Sequence, residues 1–272
     1  MILKGVKMGC LVALLMGAGY FCGIVCMQFG QAYDTILSPS SDLMYLLLWL
    51  LLALAGVAVA GGLVSALVRP VWAAMVGFAL SGLTMLLGWE VTTVNGILVL
   101  VYVLAGSLYA VAVAKALVQR IQFSVEPVTA RQGTLLMAVI LVACGSLYAD
   151  VAAHIEREGF AIPRAYVEVF MQQMEHQIET RVPEQERQQV VTQSRQEFQR
   201  TLDEFYQSTM KPYERFIPLV IAASMFMSLV TISRLLVWVP ALVLNFIFAL
   251  LAALGVTKTV AETRTVQRLV IS

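Results

Sequence analysis

Seven long apolar runs dominate this chain of 272 residues, at roughly 8–30, 43–68, 70–88, 94–118, 133–153, 216–233 and 235–256. None carries an Asp, Glu, Lys or Arg in its middle, and Lys115 lies near the end of the fourth, where its long stem can reach an interface. A helix crosses ~30 Å of hydrocarbon with about 20 apolar residues. The runs have that length, so the expected fold is all-α: a polytopic integral membrane protein of about seven transmembrane helices. The composition agrees, with 60% hydrophobic and 13% charged residues, against ~45–50% and ~25% in an average soluble domain. Mean hydropathy is +0.82. Widespread disorder and a disulfide-rich secreted fold are excluded. The 18 Lys and Arg against 17 Asp and Glu leave a net charge of +1, with no basic face to collect phosphates, so nucleic acid is not an expected partner.

Charge placement sets a direction. Lys4 and Lys7 precede the first run, Arg69 joins the second to the third, Lys115 lies at the end of the fourth, and Arg120 and Arg131 follow it. The alternate connections carry Asp34, Asp42 and Glu90, and no Lys or Arg. Positive residues in short loops stay on the cytoplasmic side, which predicts a cytoplasmic N-terminus. Trp72 and Trp238 lie beside Arg69 and Arg234, and Trp89 adjoins Glu90, all at interface depth.

The last two runs leave two arrangements open. Residues 216–256 are too many for one ordinary span, so they read as two helices meeting at Ser233-Arg234, with a candidate kink at Pro240. Seven spans put the tail 257–272 outside, although it carries Lys258, Arg264 and Arg268 against Glu262. The competitor has six spans, with residues 235–256 flat or re-entrant. At the other end, Gly30-Gln31-Ala32 offers a cleavage-like spacing. The first run is longer than the ~7–15 residues of a signal-peptide core, so an uncleaved anchor is expected. Cys10 lies at the start of that run, whereas a lipidation cysteine would follow it.

One stretch is polar. Residues 151–215 hold 11 of the 17 acidic and eight of the basic residues, and ten Gln fall between Gln172 and Gln207. Pro163 and Pro183 suit first helical turns. The pattern predicts two helices, about 163–181 with Tyr166, Phe170, Met174 and Ile178 on one face, and about 183–210 with Val191, Phe198, Leu202 and Phe205. The result is an extracytoplasmic polar helical hairpin over 154–214. It separates a five-span region (1–153) from a two-span hairpin (215–256) and the short tail (257–272). Phe198, Leu202 and Phe205 are the candidate partner-contact residues. A solvated excursion without a ligand and a docking element for another envelope protein both fit the pattern.

Chemistry is sparse. His154 and His176 are the only histidines, each near a Glu, without the three or four convergent ligands a metal needs. No cofactor is expected. Cys22, Cys26 and Cys144 lie inside runs, where Cys packs as a small apolar residue. Asn95, Asn245, Thr84 and scattered Ser make up the polar content of the runs, with Thr92, Thr93 and Asn95 as the candidate cluster. Small residues recur at four-residue steps: Gly19 and Gly23; Ala58, Gly62 and Ala66; Gly106, Ala110 and Ala114. Such steps let membrane helices approach closely, which makes Gly19, Gly23, Ala58, Gly62 and Ala66 candidate helix-packing positions. Gly-Ser-Leu-Tyr-Ala occurs twice, at 106–110 and 145–149, a trace of the kind an inverted repeat would leave.

Three stretches taken together carry a resemblance. Arg120-Ile121-Gln122-Phe123-Ser124-Val125 leads to Gly133; Arg215-Phe216-Ile217 opens a double run closing at Leu254-Gly255-Val256-Thr257-Lys258; and Glu262-Thr263-Arg264-Thr265-Val266-Gln267-Arg268-Leu269-Val270-Ile271 ends the chain. Over about its last 160 residues the chain resembles an uncharacterised multi-pass membrane protein family of small-genome candidate-phylum bacteria. In that family a basic, Phe-Ser-containing connection precedes a span, and a polar helical insertion follows. The tail here is more positive than the family pattern. The resemblance implies an architecture and no activity. The residues themselves favour a non-enzymatic cell-envelope protein that makes contacts through its hairpin. A permease for a small uncharged solute is the alternative.

Overall fold

The computed structural model describes residues 2–32, 41–89, 91–119, 125–159, 197–198, 200–201, 204–205, 208, 211–236 and 238–253. Those residues form helices joined by short turns, with no strand among them. Inside hydrocarbon no water is present to hydrogen-bond a bare peptide group, so a chain of apolar runs must close its backbone bonds within each run, as a helix does. In chain order the helices are α1 (Ile2–Gly30), α2 (Ser41–Leu67), α3 (Val71–Leu87), α4 (Thr93–Gln119), the one-turn α5 (Glu126–Thr129), α6 (Gln132–Glu158), α7 (Ile217–Leu236) and α8 (Trp238–Ala253). A 3-10 segment, Lys211–Phe216, leads into α7.

Five helical stretches are long and apolar enough to cross a membrane: Gly5–Gly30, Ser41–Leu67, Thr93–Gln119, Glu126–Arg157 and Lys211–Leu235. The third and seventh apolar runs form shorter helices, Val71–Leu87 and Trp238–Ala253. Local chemistry sets several of these ends. Pro70 precedes α3, and Gly88 closes it with its N–H directed at the Thr84 and Met85 carbonyls. The Thr92 hydroxyl accepts the Asn95 N–H at 3.2 Å and so caps the start of α4. Gly159 stops α6 at φ +75, a left-handed backbone that suits a residue without Cβ. Pro240 differs from expectation. Because α8 begins at Trp238, this proline falls in the first turn, where an N–H has no partner within the helix anyway, so no kink is required.

Side-chain contacts reveal the helix directions. Ser81 of α3 touches α1 at Leu15, and Gly88 lies further along beside Tyr20 and Ile24, so α1 and α3 run parallel. Ser146 of α6 reaches Cys26 and Gly30 at the far end of α1, which makes α6 parallel to both. Gly82 lies against Val99 and Val103, whereas the earlier Phe78 meets the later Gly106, so α4 runs opposite to α3. Lys7, Arg69, Lys115 and Arg131 therefore gather at one end of the bundle, called here the basic end, and Asp42 and Asp150 lie towards the other.

Helix α6 packs on α1, α4, α7 and α2 and is the most enclosed of the long helices, whereas α7 is the least. Helix α8 leans chiefly on α2. The interior holds Leu15, Phe29, Phe78, Tyr102, Tyr109 and Leu147 with almost no exposure. The outside is as apolar as the inside. Leu100, Leu104 and Leu108 form a continuous exposed stripe on α4, and Leu242 and Phe246 do so on α8. Greasy surface of that extent suits lipid and would be a liability in water.

The first arm and tip of the expected polar hairpin, Leu202, Glu90, Arg120 and the tail 257–272 lie outside the described residues. Within the stretch expected to form its second arm, residues 197–198, 200–201 and 204–205 are helical. Arg200 Nε pairs with Glu204 Oε1 at 3.1 Å one turn on, an exposed pair of small energetic weight.

The glycines yield a graded prediction. A methyl on Gly23 would overlap the Met85 backbone carbonyl, which cannot yield without moving a helix, whereas at Gly62 it meets the flexible Leu244 side chain at 3.0 Å. At Gly17 it meets nothing within 4 Å. Gly23→Ala should therefore destabilise by ~1–3 kcal/mol, as overpacking does. Gly62→Ala should cost less, and Gly17→Ala nothing. Thermal unfolding in detergent checks the order, and equal effects at all three positions would refute the packing described.

Candidate functional site

The polar side chains inside the bundle form a seam between helices. Midway along α1, the Tyr102 hydroxyl donates to Ser81 Oγ at 3.0 Å, and Ser81 Oγ donates in turn to the Leu15 carbonyl at 3.0 Å. One turn on, Thr84 Oγ1 donates to the Met16 carbonyl at 2.8 Å, with the Ser81 carbonyl at 2.9 Å as a second acceptor. These bonds depend on bare backbone. Gly19 faces Ser81 and Gly23 faces Met85, so closely that a Cβ at either would collide with α3. The candidate packing glycines thus lie where two backbones approach, and the hydroxyls of α3 use the approach to reach carbonyls of α1. Phe78 packs edge-on to Tyr102 at 6.1 Å and covers the seam.

The same device recurs at both ends. Away from the basic end, Ser146 Oγ donates to the Cys26 carbonyl at 3.2 Å, and Gly30 lies against Asp150. At the basic end, the Tyr109 hydroxyl donates to the Val128 carbonyl at 3.0 Å, which ties α4 to α5. Helix α2 brings its three small residues to this end. Ala58 and Ala66 are buried, and Gly62 faces Leu244 of α8 and Val128 of α5.

Two buried groups stand apart. Gln132 is 0% exposed and Ser65 1% exposed. Among the described residues, neither amide atom of Gln132 has a hydrogen-bond partner, nor does the Ser65 hydroxyl.

The seam can hold helices but offers little reactivity. A serine becomes a nucleophile when a base takes its proton, and Ser81 directs its proton at a backbone carbonyl, which is not such a base. Cys22 and Cys26 lie one turn apart with their sulfurs at 4.0 Å, and all four cysteines are free thiols. Among the described residues, no three His, Cys, Asp or Glu converge as a metal site.

The candidate contact residues fall elsewhere. Phe198 is half-buried and Phe205 is 50% exposed. Asn95 is buried beside its capping Thr92. The two Gly-Ser-Leu-Tyr-Ala copies occupy unlike surroundings: Tyr109 is buried and bonded, whereas Tyr148 is exposed. Sequence reasoning did not single out Ser81, Tyr102, Tyr109, Ser65 or Gln132. A signal for the first existed in the small residues Gly77 and Ser81, four apart, followed by Thr84 and Gly88 at helical spacing.

Ser81→Ala should cost more than Tyr102→Phe, because it strands a buried phenol whereas the second change removes donor and acceptor needs together. The expected losses are ~1–3 kcal/mol for the first and ~0.5–1.5 for the second. Unfolding of the two variants in one detergent checks this, and a larger loss for Tyr102→Phe would overturn the donor order. Compared with known protein families, curated proteins and solved structures, the chain matches none.

Proposed function

We propose that this is a seven-span bacterial inner-membrane protein with a cytoplasmic N-terminus, which acts as a non-enzymatic contact component of the cell envelope. The observation that carries the reading is the commitment of the central hydroxyls. Ser81, Thr84, Tyr102, Tyr109 and Ser146 are all directed from one helix to another, chiefly at backbone carbonyls. Such a core serves rigidity, and it leaves specificity to groups that can hydrogen-bond in water. Those groups are concentrated in residues 163–210, where Phe198, Leu202 and Phe205 share a helical face. Aromatic anchors commonly dominate protein contacts, so the partner is another envelope protein reached through that face, while the bilayer solvates the rest.

The short helices α3 and α8 count as spans in this reading, and the hairpin projects outside. Gathering Lys7, Arg69, Lys115 and Arg131 at one end supports a cytoplasmic placement of that end. A permease for a small uncharged solute is the second reading, favoured by the unpaired Gln132 amide.

Two measurements test the proposal. In a background without the four native cysteines, single cysteines beside Glu90 should react with an impermeant reagent from outside, and those at Arg69 should not. Labelling at Arg69 would invert the orientation. Replacing Phe198 and Phe205 by Ser should preserve membrane insertion and thermal stability while abolishing cross-links to the partner. If deletion of 163–210 preserved every cross-link, the contact reading would be wrong.

A further inference from the structure

The unpaired pair at the basic end lies on two facing helices. Gly61 of α2 meets Leu135 of α6, whose Cδ2 would lie 2.8 Å from a Cβ at that glycine. Gly62 beside it meets Val128. Helix α2 approaches the basic end as it runs, and α6 leaves it. One turn on from Gly61 is Ser65, and one turn back from Leu135 is Gln132. Both steps keep to the same helix face, so the two polar groups arrive at one level of the α2–α6 contact.

Each group is expensive there. A buried polar atom left unpaired costs more than its hydrogen bond contributes when made, and buried polar atoms of folded proteins are nearly all paired, to protein or to a small molecule. Three poles are open, an amide N–H, an amide oxygen and a hydroxyl, and the helix spacing brings them to one level. The walls that meet beside them, Gly61, Gly62, Val128 and Leu135, are apolar, and Arg131 next in sequence is exposed. An ion would find no counter-charge from these walls. A neutral molecule with donor and acceptor together would satisfy all three poles.

We propose that Gln132 and Ser65 line a buried binding site for a small neutral molecule that both donates and accepts hydrogen bonds, as a carboxamide, a polyol or water does. The site goes beyond the contact reading. It lies in the membrane bundle, away from residues 163–210, so either can fail without the other.

The test is thermal unfolding of the full-length protein in detergent, comparing wild type with Gln132→Met, Ser65→Ala and the double variant. Each single change should lower the melting temperature by about 2–4 °C, the shift expected from losing roughly one hydrogen bond in a chain of this size. The double variant should fall no further than the worse single one, because one bound molecule links both side chains. A higher melting temperature for Gln132→Met would overturn the proposal, since an apolar replacement relieves a bare amide but harms an occupied one. Additive losses would overturn it as well. Titration with acetamide or glycerol separates the sources. A saturable rise in wild type that Ser65→Ala abolishes assigns the site to an exchangeable solute. Non-additive losses with no dependence on either probe assign it to an internal water, and both outcomes uphold the site. If Gln132→Met does not fold, Ser65→Ala is read alone, and an unchanged melting temperature together with an unchanged solute response would refute the site.

Discussion

Lipid tails are as apolar as leucine, so nothing like the hydrophobic effect in water drives membrane helices together. Close approach must supply the attraction, and in this chain α1 and α3 approach where Gly19 and Gly23 lack side chains. With the backbones that near, Ser81 and Thr84 reach the carbonyls of Leu15 and Met16, and Tyr102 extends the bond into α4. Dispersion and hydrogen bonding reinforce each other at one place. The neighbouring contacts, Phe78 on Gly106 and Val99 beside Gly82, follow from how α4 must sit to meet Ser81.

From that seam the bundle grows outward with decreasing enclosure. Helix α6 closes it by crossing α1 near Cys26 and Gly30, and it pairs with α4 where Leu98 fits over Gly145. Helix α7 lies against α6 with most of its surface exposed, and α8 touches chiefly α2. The polar excursion joins the most enclosed helix to the least enclosed one. The hydroxyls of Ser224, Ser228 and Thr231 on α7 bond back to its own carbonyls, which lets them face lipid without a partner helix.

The existence of helices was legible because an apolar run of some twenty residues has one way to satisfy its backbone in hydrocarbon. Their exact ends were less so. Pro70 and Gly88 confine α3 to 17 residues, and α8 starts beyond the apparent turn, which moves Pro240 from a kink position into a first turn. The small-residue steps drew attention to Gly19, Gly23 and Gly62, since spacing of four shows that positions share a face. Spacing cannot say which helix that face will meet. Gly23 turned out to oppose a backbone carbonyl and Gly62 a flexible leucine, and the difference decides how much a methyl would cost.

Sequence alone determined that the chain is helical and suited to lipid, because hydropathy and run length are properties of each segment taken singly. It also determined where charge accumulates, since loop composition is local. Tertiary structure decided which of the scattered hydroxyls matter. Ser81 and Ser228 look alike in the sequence, yet one links three helices and the other only bonds to its own. It also decided that Gln132, one glutamine among many in this chain, is buried with no partner for its amide among the described residues. A hydrogen bond or its absence is a relation between segments far apart in the chain, and only their packing brings both ends of that relation into place.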